Sequence, residues 1–479
     1  SWATAGYFAR VNYDYDERYL FEANIRYDGS SRFRAENRWA WFPSVSAGWN
    51  IAKEPFWESA SRYVNTLKLR MSYGSLGNQN IGNWYPTYQK MGVYINNGAW
   101  LQDGKATNTA YSPELISSSL TWETIRSYNL GLDLGAFNNR LTSSFELYSR
   151  YTTNMIGPAQ ELPSVLGASV PRTNNTDLRT YGFDFEVQWK DNLDCGLFYG
   201  IRFILSDNQT EILRYPNDSK LLMTNGIYSY YPGSHVGDFW GLKTLGIAKT
   251  DQEMKAHLAT IPHGGQSWLG TDWRAGDIMY ADLDGNGVIS MESGTLADHG
   301  DLIKLGNDQP RFQFGLDLNA SWKGFDMRVF FQGVGKRDFW PGYVAFWASS
   351  NQNIWYMLGF EEHLDYFRNT PSGDLDVNLD SYYPRPLLNA KNQYMQTKYL
   401  QDASYIRLKN FTFGYTIPQK YTQRIKVANL RLFFTGENLW TGTRLSSVFD
   451  PEGINGNDKI SGIGYPIMKT WACGLTITL

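Results

Sequence analysis

Hydrophobic and polar positions alternate along much of the chain with period two, the repeat of an extended strand whose successive side chains point to opposite faces. Tyr19, Phe21, Ala23, Ile25 and Tyr27 share one face; Leu20, Glu22, Asn24, Arg26 and Asp28 share the other. The division recurs in Tyr181, Phe183, Phe185, Val187 and Trp189 against Gly182, Asp184, Glu186, Gln188 and Lys190. It returns in Phe312, Phe314, Leu316 and Leu318 against Gln313, Gly315, Asp317 and Asn319. The pattern predicts an all-β chain of about 13 strands, near 7–13, 19–28, 41–51, 64–75, 122–136, 141–153, 179–189, 196–207, 310–321, 325–335, 403–416, 430–440 and 467–479.

Alternation alone suits both the inside of a soluble sandwich and a wall that faces lipid. The connections separate the two. Short ones, such as Asp16-Glu17-Arg18, Asn138-Asn139-Arg140, 190–195 and Trp322-Lys323-Gly324, alternate strictly with long ones at 76–121, 154–178, 208–309, 336–402 and 441–466. Tight turns on one rim and elaborated loops on the other are the pattern of an antiparallel transmembrane β-barrel. If the last strand runs down to a periplasmic C-terminus, the long loops are extracellular, and 208–309 and 336–402 are two large external excursions. Within the first, 236–247 reads as a hairpin, and 249–260 as a short helix with a Thr/Asp start. An odd number of antiparallel strands does not close a barrel. The expectation is therefore that residues 1–479 form the C-terminal part of a larger barrel, beginning inside an external loop. A start that passes straight into strand residues, with no secretory leader, fits that expectation. So does the last strand, where Trp471, Cys473, Leu475, Ile477 and Leu479 share one face.

Composition narrows the function. Aromatics reach 16% and charged residues only 19%, a mixture that favours pleated surfaces over helices. A net charge of −3 gives no electrostatic footprint for nucleic acid. The mean hydropathy of −0.43 is what a lipid face and a water face average to. Cys195 and Cys473 are too few for a disulfide framework. The histidines His235, His257, His263, His299 and His363 are dispersed without zinc spacing, and no nucleophile elbow occurs. Glu361, Glu362 and Asp365 read as a solvated helix face rather than a glycosidase pair. Nothing here predicts an enzyme.

Two segments carry candidate chemistry. Asp282, Asp284 and Asn286 place oxygen ligands at alternate positions, with Gly287 at the sharp turn and the Val288 carbonyl at the seventh position, as in a Ca²⁺ or Mg²⁺ loop. Ser293 stands where a bidentate Glu belongs, Glu292 falls one residue early, and Asp298 or Asp301 could supply the missing carboxylate. The alternative is an Asp/Asn/Gly turn held by its own side chains. In 339–347, Trp340, Tyr343 and Trp347, with Trp355 and Tyr356 beyond, could stack on a ligand, bury against a partner, or pack into the mouth of the barrel. The wet-face charges Arg10, Asp14, Glu22, Arg26, Asp184, Glu186 and Arg328 have mixed signs and suit a solvated interior wall.

Several segments resemble one family, the SusC/RagA-type TonB-dependent transporters of Bacteroidetes outer membranes. They are Leu120-Thr-Trp122-Glu123, Asn129-Leu-Gly131-Leu-Asp133, Phe137-Asn-Asn-Arg-Leu141, Gly276-Asp-Ile-Met-Tyr280, Asp282-Leu-Asp-Gly-Asn-Gly287 and Leu305-Gly-Asn307. Tyr383-Pro-Arg-Pro386, Ala403-Ser-Tyr-Ile-Arg-Leu-Lys-Asn410, Gly436-Glu-Asn438-Leu and Phe449-Asp-Pro-Glu-Gly453 follow in order. The resemblance implies a barrel of about 22 strands around an N-terminal plug that this chain lacks. It also implies import of oligosaccharides or peptides powered by TonB-ExbB-ExbD, with a SusD-like lipoprotein as an external lid and no required cofactor. The competing expectation is an all-β surface glycan-binding protein without transport.

Overall fold

The computed structural model describes residues 2–80, 86–110, 115–159, 170–223, 228–342, 344–348, 359–454 and 467–479. Thirteen strands form one antiparallel sheet: β1 (Thr4–Tyr15), β2 (Tyr19–Ser30), β3 (Trp39–Asn50), β4 (Val64–Asn78), β5 (Glu123–Ala136), β6 (Leu141–Ile156), β7 (Asn174–Asn192), β8 (Phe198–Arg214), β9 (Arg311–Trp322), β10 (Phe325–Lys336), β11 (Tyr405–Thr416), β12 (Asn429–Thr443) and β13 (Thr470–Thr478). Their order in the sheet is their order in sequence. Among the described residues no helix is long and apolar enough to cross a membrane.

Every strand expected from alternation is present, and the rims differ from expectation. β7 begins several residues early and β8 runs on to Arg214, through stretches whose polar composition reads as loop. Side chains hold these extensions. Thr180 and Thr210 share a hydrogen bond of 2.9 Å, the Tyr181 hydroxyl donates to Gln209 at 3.0 Å, and Arg214 pairs with Asp177 at 2.9 Å. The alternation of short and long connections is also less strict than the sequence suggests. Residues 31–38 are a tight link, whereas 51–63 and 417–428 on the opposite rim wind into helical turns.

The chain divides into two compact units, Ser1–Asp184 with Asn208–Asp218 and Tyr231–Gly233, and Phe185–Asp207 with Ser219–Tyr230 and Ser234–Leu479. In the first unit, register places Tyr19, Trp49 and Leu69 in one row of the apolar face, and Phe21, Ala47, Met71 and Leu130 in the next. On its polar face Phe33, Phe42, Leu120 and Trp122 make a small buried cluster, and the Trp122 indole donates to the Arg38 carbonyl at 3.1 Å.

The second unit holds a body of interlocked loops beside its strands. The stretch 236–247 is not a hairpin. Asp238–Leu242 pairs with Leu302–Asn307, and Thr244–Ile247 with Ile278–Tyr280, because each half buries its apolar side chains on a distant segment rather than on the other half. Phe239, Leu242, Ile278, Tyr280, Ile289 and Leu302 are fully buried there. The expected helix is α1 (Asp251–Ala259); the Thr250 hydroxyl accepts from the Glu253 amide at 3.1 Å as its cap, and Met254 anchors it in the core.

Candidate functional site

Excursions that look separate in sequence meet in this loop body. The Leu242 amide donates to the Met395 carbonyl at 2.8 Å, and the Thr397 amide returns to the Leu242 carbonyl at 3.0 Å. At the centre is the fully buried Asp277. Its carboxylate accepts from Arg385 Nε at 2.7 Å, Asn392 Nδ2 at 2.9 Å and the Arg274 amide at 3.0 Å, with Lys391 Nζ also 3.0 Å away. Burial alone pushes this carboxyl up, but those donors outweigh it and hold it below the ordinary range. Gly276 makes the approach possible: its φ is +86°, and a Cβ would stand 2.4 Å from Phe367 and 2.9 Å from Arg385. The 276–280 and 383–386 motifs therefore clasp one another.

A second clasp joins two other motifs. Buried Arg407 on β11 meets Asp450 at 2.8 Å and Glu452 at 3.1 Å, and Lys409 meets Glu452 at 3.0 Å. Residues 403–410 and 449–453 thereby tie a long loop to a strand. The carboxylates near 361–365 are likewise structural, on a short 3-10 turn. Glu362 accepts from the Ser446 and Ser447 hydroxyls, and Asp365 accepts from Asn378 at 2.7 Å.

The acidic loop gathers oxygen ligands. Carboxylate oxygens of Asp282, Asp284 and Asp301 lie within 4.8 Å of one another. Of the two residues considered for the missing ligand, Asp301 is the one brought in; Asp298 instead accepts from the Ser293 amide at 3.3 Å. Asp282 accepts from the Gly285 and Gly287 amides at 2.8 and 2.9 Å, and Asp301 from the Leu283 and Ser290 amides at 2.6 and 2.9 Å. Burial raises the Asp301 carboxyl, the Leu283 and Ser290 amides oppose that rise, and the charges of Asp284 and Asp282 add to it. Asn286 is engaged within the turn, donating to Asp284 at 3.0 Å and Glu292 at 2.6 Å and accepting from the Val288 amide at 2.9 Å. The cluster offers three hard oxygen donors of one sign, the chemistry that Ca²⁺ or Mg²⁺ takes.

The aromatic segment packs inward. Trp340 and Trp347 are buried, the Trp347 indole donates to the Pro341 carbonyl at 2.8 Å, and its ring lies 4.8 Å from Tyr399. Phe346 is fully buried among Tyr383, Tyr399 and Phe449. Tyr343, Trp355 and Tyr356 lie outside the described residues.

The polar face carries charges that largely neutralise one another locally. Arg10 pairs with Glu22 at 2.6 Å, Arg26 with Asp28 at 3.1 Å, Arg202 with Glu186 at 2.8 Å and Arg328 with Asp317 at 2.5 Å. In the first unit this face has a trough of about 560 Å³, floored by Ser46, Gly48 and Gly131 and walled by Asp14, Glu22, Lys68 and Arg70. Alternation finds the polar face, but no short-range signal shows the trough or the two clasps.

Comparison with known proteins agrees with this architecture. Residues 2–439 match the family described as TonB dependent receptor-like, beta-barrel. TonB-dependent receptor P3 of Formosa agariphila is 28% identical over 98% of this chain and 45% of its own length. TonB-dependent receptor SusC of Bacteroides thetaiotaomicron is 27% identical over 98% of this chain and 43% of its own. The RagAB peptide transporter superposes with a TM-score of 0.72 at 23% identity, covering 99% of this chain and 48% of that one. The chain thus spans about half the length of the relatives it matches. It belongs to the TonB-dependent receptor β-barrel family, a non-enzymatic outer-membrane family, and is similar in sequence to SusC and in fold to RagAB, over a barrel portion of each.

Proposed function

We propose that the chain is the C-terminal barrel portion of a transporter of the SusC/RagA type, importing oligosaccharides or peptides across the outer membrane. The observation that carries this reading is the thirteen-strand sheet with one apolar and one polar face, matched over nearly its whole length by SusC. The long connections face outward, the C-terminus is periplasmic, and 208–309 with 336–402 form the external body. A SusD-like lipoprotein caps that body, a reading that the likeness to the RagAB peptide transporter supports. TonB-ExbB-ExbD supplies energy through a plug carried by the rest of the protein.

Labelled oligosaccharides and peptides offered to cells with and without TonB test the proposal. Uptake that persists without TonB, or recovery of the full protein without detergent, overturns it; the latter favours a surface glycan-binding protein.

In the external body, Asp282, Asp284, Asp301, Asn286 and the Val288 carbonyl are proposed to hold a structural Ca²⁺ or Mg²⁺, with Trp340 and Trp347 bracing the loop that meets cargo or lid. Asp282→Ala with Asp284→Ala should lower bound metal and loosen the lid. Unchanged metal content and lid association remove the metal.

A further inference from the structure

We propose that the apolar face of the first unit binds a phosphate-bearing lipid of the outer leaflet through Arg126 and Arg179, framed by Tyr128, Tyr151 and Tyr181. The inference rests on the membrane orientation proposed above. On β5 one row rises from Leu134 through Leu132, Leu130 and Tyr128 to Arg126, and on β7 another rises from Phe185 through Phe183 and Tyr181 to Arg179. Both run toward the long-connection rim, and both pass from aliphatic or phenyl to tyrosine to arginine. Register confirms the shared face. Leu130 stands opposite Met71 and Leu147, Tyr128 opposite Tyr73 and Ser149, and Arg126 opposite Tyr151.

Arg179 joins the same face from the other side of β6. Its Nε donates to the Ser149 hydroxyl at 3.3 Å, and its guanidinium lies 5.5 Å from the Tyr151 ring centre and 5.0 Å from that of Tyr181. Tyr128 meets Tyr151 edge-on at 6.2 Å and Tyr73 at 5.1 Å. The two arginines therefore flank Tyr151 within a patch of phenol rings, and Arg126 is exposed.

An arginine on a lipid-facing row is costly at the bilayer mid-plane and costs little at the interface, where tyrosines gather and headgroup phosphates lie. Guanidinium groups match phosphate oxygens in geometry as well as charge. At the opposite rim the same face of the first unit ends in Tyr15, Tyr19, Trp49 and Leu67, none of them charged. Charge complementarity thus selects an anionic headgroup at the long-connection rim alone.

The test uses the full-length transporter in nanodiscs of phosphatidylcholine with a minority of bisphosphorylated lipid A, with native mass spectrometry counting retained lipid. Wild type should retain lipid A over its dephosphorylated form. That preference should fall roughly thirtyfold with Arg126→Gln and Arg179→Gln combined, from about 1 kcal/mol per basic residue near an anionic surface. Arg150→Gln, on the polar face of β6, should leave it unchanged. An unaltered preference in the double variant, no preference in wild type, or an equal fall with Arg150→Gln overturns the lipid site. A shift in oligomeric state without a lipid effect does so as well, by assigning the patch to a second copy. Recovery from the outer membrane by detergent is scored separately, and its failure would strike the membrane reading instead.

Discussion

The wall of the first unit and the loop body of the second use the same residue types in opposite ways. On the wall, Tyr7 and Trp41 are 70% and 61% exposed, whereas in the loop body Tyr280 and Tyr399 have no exposure. The wall satisfies its backbone through neighbouring strands and leaves its apolar side chains to lipid, so each strand needs only period two. The loop body buries its apolar side chains within itself. It must gather a core from segments far apart in sequence and neutralise the charges it buries with them.

Breaking the buried network should show the difference most strongly. Asp277→Ala leaves Arg385 and Lys391 without their carboxylate in a dry site, expected to cost about 3–5 kcal/mol. Hydrogen exchange should rise across 238–307 and 385–399 while the wall strands stay protected. Equal exchange everywhere would mean that the loop body has no separate stability. On the wall the comparable injury is Leu132→Arg, expected to cost about 2–4 kcal/mol near the bilayer mid-plane. It should lower the temperature at which the folded band is lost on heated gels and leave loop exchange unchanged.

Acid separates the regions more gently. Asp277 has a carboxyl held below its unfolded value. Its contribution is present above the unfolded pKa of about 3.9 and is lost as pH falls through the folded value. Loop exchange should therefore accelerate in that acid window in wild type, and the acceleration should disappear in Asp277→Asn. The smallest effect is expected from Thr250→Ala, which removes the α1 cap and should cost about 1 kcal/mol. Faster exchange confined to 250–260 checks it.

The wall was legible because its rule is local. Tyr19 to Tyr27, Tyr181 to Trp189 and Phe312 to Leu318 declare their faces within nine residues, and each lies in a strand of the sheet. The misreadings fall where pairing is distant. The two halves of 236–247 each found a partner far along the chain, and the polar start of β7 and end of β8 became strands only through each other's neighbourhood. The acidic loop was half legible. Asp282 and Asp284 are spaced in sequence, but only the fold chose Asp301 over Asp298.

Sequence by itself determined the strand positions, the two faces and the family, because strand periodicity and motif order survive without knowledge of distant contacts. Tertiary structure alone decided that 276–280 clasps 383–386, that 403–410 clasps 449–453, and that Trp340 and Trp347 turn inward. A buried charge or ring is satisfied by whatever the fold brings within hydrogen-bond or van der Waals reach. When that partner lies a hundred residues away, no local pattern records it.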